Sequence, residues 1–148
     1  MSIRRYRGAD MTRIKARQDF AALMNEDSFG GGEPDRKTTW TLTRGRWEIL
    51  ACGGFVRERS GVYGLWGYCA GNLTRREWVE IARKTRHLIT ILFFAGARRV
   101  HAMARADHAE AVKFLMHLGL RNDMNRLVAA APDGGDFVIL AAIKGLRT

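Results

Sequence analysis

The sequence predicts an α+β fold, a mixed and mainly antiparallel sheet with helices on both faces. Three observations carry that reading. Apolar residues alternate with period two from Thr38 to Tyr68, they recur with helical period from Thr74 to about Ala95, and a strand, a helix and two strands close the chain. The 148 residues are 47% hydrophobic and 27% charged, with 2 prolines, the composition of one globular domain over residues 1–148. A chain of this length buries roughly 68–70% of its unfolded surface, so its core needs neither disulfides nor a structural metal.

Ile3-Arg4-Arg5-Tyr6 alternates like a short strand. Asp10 can cap a helix over Met11–Met24, in which Ile14, Phe20 and Leu23 form a partial apolar face. Residues 25–37 contain Gly30-Gly31-Gly32 and Pro34 and predict a mobile loop between elements. The alternating run then gives a meander of three strands. Trp40 and Leu42, then Trp47, Ile49 and Ala51, and finally Val62, Leu65, Trp66 and Tyr68 supply its apolar positions, with turns at Arg44-Gly45-Arg46 and Arg59-Ser60-Gly61. Gly64 and Gly67 mark a bulge or a close approach in the last of these strands.

Thr74 and Glu77 have capping-box spacing at the start of a long helix. Trp78, Ile81, Ala82, Thr85, Leu88, Ile89 and Leu92 form its apolar stripe, and Gly96 can end it. A strand over Arg99–Ala104, a helix over His108–Leu118 stopped by Gly119, and strands over Leu127–Ala131 and Phe137–Ile143 complete the order, the last two flanking a Pro132-Asp133-Gly134-Gly135 turn.

Cys52 and Cys69 fall in apolar runs and read as buried, inert thiols. His87, His101, His108 and His117 have no ligand spacing, and the interval from His108 to His117 puts those two on different sides of a helix, so no metal is expected. His87–Ala97 is too short to span a membrane, and the N-terminal residues lack a signal-peptide core, so a reducing, cytoplasmic setting is expected. The formal net charge is +10, from 25 bases against 15 acids. Such a surface either is simply solvated or favours an anionic partner, and Arg75, Arg76, Arg83, Lys84 and Arg86 on the long helix are the candidate contacts to a nucleic-acid backbone.

The element order resembles the Gcn5-related N-acetyltransferase (GNAT) fold over nearly the whole chain. The strongest local match is His108–Leu120, where Ala111, Phe114, Leu118 and Gly119 stand in register with that family's late helix, while His108 replaces its Asn and Leu115 its Tyr. The resemblance implies an acyl-CoA cofactor whose pantetheine adds to the edge of the fourth strand and whose pyrophosphate rests on amides at the next helix N-terminus. The corresponding loop, Tyr68 to Arg76, has Gly71 as its one glycine and lacks the family's glycine-rich signature. Tyr68, Gly71, Asn72, Thr74, Arg75 and Arg76 are the implied cofactor contacts. Leu115 cannot donate a proton to a leaving thiolate, which leaves Tyr68 or Cys69 as donor and Glu48 or His101 as base. Each of these also has a structural reading: a strand aromatic, a core thiol, an outward strand residue and a satisfied histidine.

A narrower similarity of layout, from Cys52-Gly53-Gly54 to Phe114-Leu115-Met116-His117-Leu118-Gly119, is to the podovirus internal virion protein A family. It implies a phage protein of the virion or its assembly, without catalysis or cofactor, located in the host cytoplasm or packaged. Its partners would be other virion or host proteins, with non-specific DNA contact. The alternatives are an acetyl-CoA-dependent N-acyltransferase with an atypical loop, and a basic nucleic-acid-binding module.

Overall fold

A computed structural model describes residues 1–17, 21–24, 37–130 and 133–145. Among the described residues eight strands and three helices follow one another as β1 (Ser2–Arg5), α1 (Gly8–Lys15), β2 (Ala21–Met24), β3 (Trp40–Arg44), β4 (Glu48–Arg59), β5 (Val62–Cys69), α2 (Arg75–Phe94), β6 (Arg99–Arg105), α3 (Ala109–His117), β7 (Arg121–Leu127) and β8 (Phe137–Ile143). The sheet runs β1-β3-β4-β5-β6-β8-β7, and β2 adds to β5 beside that path. Among the described strands only β5 and β6 pair in parallel, as their connection through a crossover helix requires.

The two sheet faces carry separate cores. Trp40, Leu42, Leu50, Phe55, Leu65, Val100, Ala102 and Leu140 meet the α2 stripe and Ala111, Leu115 and Leu118 near α3. On the other face Ile14 of α1 packs with Ile49, Cys52, Val56, Trp66 and Tyr68. The stripe expected on α2 is buried at Ile81, Ala82, Thr85, Leu88, Ile89 and Leu92. Gly96, at φ +112°, lets the chain turn away after the helix.

Helix α1 is shorter than its pattern predicts. It ends at Lys15, and Ala21–Met24, although rich in helix-forming residues, is a strand because β5 offers its backbone a partner. Asp10 is not the N-cap either. It lies inside the helix, where its carboxylate accepts from the Arg7 N–H at 2.8 Å. Phe20 and the predicted loop from 25 to 36 lie outside the described residues.

Two further expectations shift. The strand expected at Leu127–Ala131 is Arg121–Leu127, and Ala129 turns at φ 55° while its N–H donates to Asp136 Oδ1 at 2.9 Å. The polar residues of that strand hid it from an apolar-periodicity reading. Trp47 is 72% exposed on the β3–β4 turn, with the Arg46 guanidinium stacked over its ring.

The feature that positions the site is the parting of β5 and β6. They pair only at Val62↔Arg99, Tyr63↔Val100 and Gly64↔His101, although β5 continues to Cys69 and β6 to Arg105. Into the opening comes β2, antiparallel to β5, with Ala21 opposite Cys69, Ala22 opposite Tyr68 and, after a register shift, Met24 opposite Gly67.

Candidate functional site

The N-terminus of α2 is built by a reciprocal cap. Thr74 Oγ1 accepts from the Glu77 N–H at 3.2 Å, and Glu77 Oε1 accepts from the Thr74 N–H at 2.8 Å. Glu77 is 4% exposed and also takes Arg44 Nε at 3.0 Å. That guanidinium bond, opposed by burial and joined by the bonds from Thr74, holds the Glu77 carboxyl below its ordinary range. Arg17, just past α1, donates to Glu48 Oε2 at 3.2 Å and to Asn72 Oδ1 at 3.3 Å, fixing the loop between β5 and α2 against β4.

Within that loop the Ala70 N–H donates to Leu50 O at 2.7 Å. Beyond it, among the described residues, the N–H groups of Gly71, Asn72, Arg75 and Arg76 have no acceptor. Such donors at the positive end of a 20-residue helix favour negative charge nearby.

Of these residues Gly71 and Arg75 line one end of a cleft of about 650 Å³ between α2 and α3, with Cys69 and Ala70 beside them. Across it α3 presents Glu110, Lys113, Phe114 and His117, which share one helical face. Trp78 and Phe114 meet edge to face with ring centroids 5.3 Å apart, giving the cleft an aromatic wall. Arg75 and Lys113 supply two lasting positive charges against Glu110. His108 and His117 also line it.

The structure divides the residues singled out in sequence. Gly71 and Arg75 line the cleft. Thr74 and Asn72 hold the loop instead, through the cap and through Arg17, and Arg76 is exposed outside the lining. Cys69 borders the cleft, but Tyr68 lies in the cluster on the opposite sheet face, its ring 6.3 Å from that of Trp66.

Glu48 is tied to Arg17 and Arg44. His101 Nε2 is 2.6 Å from Glu58 Oε2 and His101 Nδ1 accepts from Arg99 Nε at 2.8 Å, so both ring nitrogens are engaged. The structure therefore does not bring Tyr68, Glu48 and His101 together in the cleft.

Leu115 is fully buried in the core, and α3 turns Lys113, Phe114 and His117 to the cleft instead. Sequence reasoning missed His108, Glu110, Lys113 and His117. The spacing of 110, 113, 114 and 117 was the available signal. His108 and His117 line the same cleft despite their interval, because His108 precedes the helix at φ −97°, ψ 77° and helical angles do not govern it.

The basic residues of α2 point several ways. Arg83 and Arg86 line a pocket of about 240 Å³ with Val79, Ala82 and His117. Lys84 lies in another of about 570 Å³ with Arg4 and Arg5. Arg83 pairs with Glu80 at 3.0 Å. Among the described residues no His, Cys, Asp or Glu group could hold a metal ion, and no helix is long and apolar enough to cross a membrane.

No protein-family model and no curated protein matches the chain. Solved structures do. Ribosomal-protein-S18-alanine N-acetyltransferase from Escherichia coli matches with a TM-score of 0.63 at 16% identity, over 99% of each chain. Spermidine N-acetyltransferase from Vibrio cholerae, as a point mutant, matches with 0.66 at 12% identity, over 97% of this chain and 95% of that one. Ribosomal-protein-alanine N-acetyltransferase from Brucella melitensis matches with 0.66 at 13% identity, over 97% and 99%.

The chain has the GNAT fold, a mixed sheet between helices.

Proposed function

We propose that the chain is an acyl-CoA-dependent N-acyltransferase that holds its cofactor by the phosphates at the N-terminus of α2. The observation that carries this is the free N–H groups of Gly71 and Arg75 at the start of α2, two residues that line a cleft together with Lys113. Amides and guanidinium together suit a pyrophosphate, and the Trp78–Phe114 wall suits an apolar or aromatic portion of the same ligand. The cofactor would supply an activated acyl group. The named activities of the solved neighbours, on ribosomal-protein alanine and on spermidine, support an amine as acceptor. Within the cleft, His108 and His117 are positioned to exchange a proton, and the Cys69 thiol borders it at the end of β5.

The fit is good at the phosphate end and poor at the other. The edge of β5 from Gly67 to Cys69, where an extended cofactor arm would find backbone partners, is paired with β2.

The test is calorimetric titration with adenosine 3′-phosphate 5′-diphosphate, the nucleotide end of coenzyme A. Wild type binds it, and Arg75→Ala with Lys113→Ala weakens binding by about tenfold or more. Absence of binding at millimolar ligand would overturn the reading. Thiol release from acetyl-CoA across a panel of primary amines then tests transfer.

A second reading, binding without turnover, is favoured by one observation: Leu115 is in the core, and Tyr68, Glu48 and His101 lie outside the cleft. Nucleotide binding with no thiol release on any amine supports it.

A further inference from the structure

We propose that β2 is a displaceable strap, an internal strand seated on the edge of β5 that an extended, amide-bearing ligand arm must take over. The inference rests on the acyl-CoA reading and concerns regulation of that same cleft. Its first support is the sheet itself. After Gly64↔His101 the two parallel strands separate, so the β5 edge from Leu65 to Cys69 has no partner in β6. An unpaired edge of this kind accepts an added strand, from a peptide or from any ligand with amides at suitable intervals.

The second support is what occupies it. Ala21, Ala22 and Met24 pair with Cys69, Tyr68 and Gly67, in the opening and against β6. The ladder is short and its register shifts between Ala22 and Met24, whereas β4 holds the other edge of β5 from Val62 to Cys69. The chain from 25 to 39 joins β2 to β3, long enough for β2 to leave while β3 stays in the sheet.

The third support is position. Cys69, which Ala21 faces, is followed directly by Ala70 and Gly71, and all three line the cleft. A ligand anchored on the free amides after Gly71 thus meets the strap at the next residues of β5. Binding of the phosphate end leaves β2 in place, and binding of a longer arm requires its release. Apparent affinity for the long ligand is then reduced by the fraction of molecules with the edge free, so a strap seated in about nine of ten molecules costs about tenfold.

The experiment compares two ligands on two proteins. Wild type and the double variant Ala21→Pro with Ala22→Pro, which removes the N–H groups β2 needs for its ladder, are titrated with adenosine 3′-phosphate 5′-diphosphate and with coenzyme A. The expected result is equal affinity for the nucleotide and affinity for coenzyme A at least about tenfold tighter in the variant. Equal affinities for both ligands in both proteins would overturn the strap while leaving the cofactor reading intact. No nucleotide binding in either protein would overturn the cofactor reading and the strap with it.

Hydrogen exchange on wild type gives a readout that does not depend on the variant's folding. Coenzyme A should speed exchange within 21–24 while the amides of Tyr68 and Cys69 stay protected. Retained protection at 21–24 in the saturated complex would sink the proposal.

Discussion

Asp10 is the point at which α1 is fastened to the sheet, and replacing it with Asn tests how the two are joined. Its side chain is 2% exposed and accepts four hydrogen bonds of 2.8 Å, from Arg4 Nη1 and Nη2, the Arg7 N–H and Thr41 Oγ1. Asp10→Asn keeps the shape but swaps one oxygen for an amino group facing donors. Breaking a buried ion pair costs roughly 3–5 kcal/mol. Arg4 keeps 27% of its side chain in solvent, so water recovers part of that, leaving a loss of about 2–3 kcal/mol. For a chain of this size that lowers Tm by about 5–10 °C.

The effect carries a pH signature. Burial pushes the Asp10 carboxyl upward, but the bonds from Arg4, Arg7 and Thr41 outweigh it and hold the pKa below the ordinary value. A carboxyl lowered on folding contributes stability that is fully present above its unfolded pKa of about 3.9 and lost as pH falls through the folded one. Urea denaturation of wild type and variant should therefore show a constant gap from about pH 7 to about 5 that closes below about 4. A gap that persists unchanged to about pH 2, or a variant as stable as wild type at neutral pH, would refute the account.

Three other outcomes are expected. In Gly54→Ala the new methyl would meet Thr38 O at 2.5 Å and Thr39 Cα at 2.7 Å, backbone atoms that cannot swing aside, so denaturant titration should show a loss of about 3 kcal/mol. Leu115→Tyr, which restores the residue type found in the resembling family, puts a hydroxyl at a fully buried position; it should cost about 2 kcal/mol or more by thermal melting and leave thiol release from acetyl-CoA unraised. Cys52 and Cys69, both free and buried, should resist a disulfide reagent in native buffer and titrate fully in denaturant, and prompt native reaction would contradict their placement.

Much of this architecture could be read before any coordinates. The stripe from Ile81 to Leu92 works because one face of α2 is buried, which stamps a period on the sequence, whereas β3, β4 and β5 are buried on both faces and were marked by short apolar runs between turn residues. Failures came where backbone pairing rather than side-chain burial decides the outcome. Ala21–Met24 has the residues of a helix and the partner of a strand, and Arg121–Leu127 pairs with β8 through a largely polar sequence.

The site was legible only in part for a related reason. Gly71 and Arg75 follow from the cap at Thr74, which local spacing announces. Lys113 and His117 depend on which face α3 turns to α2, and His108 on a non-helical residue before it; both are set by tertiary packing. Burial of Glu77 likewise depends on Arg44, distant in the chain.

The two outermost strands bear on how copies of this chain treat one another. An exposed strand rim is a template on which a neighbour can polymerise, and proteins discourage this with charge and brevity. Here one rim is the four-residue β1, with Arg5, and the other is β7, with Arg121, while Arg4 and Arg126 are held by Asp10 and Asp136. Two molecules approaching rim to rim bring like charges together, so repulsion opposes ribbon growth at low ionic strength and weakens as salt screens it. Concentrated, salty solutions are accordingly where this protein should first show fibrous self-association.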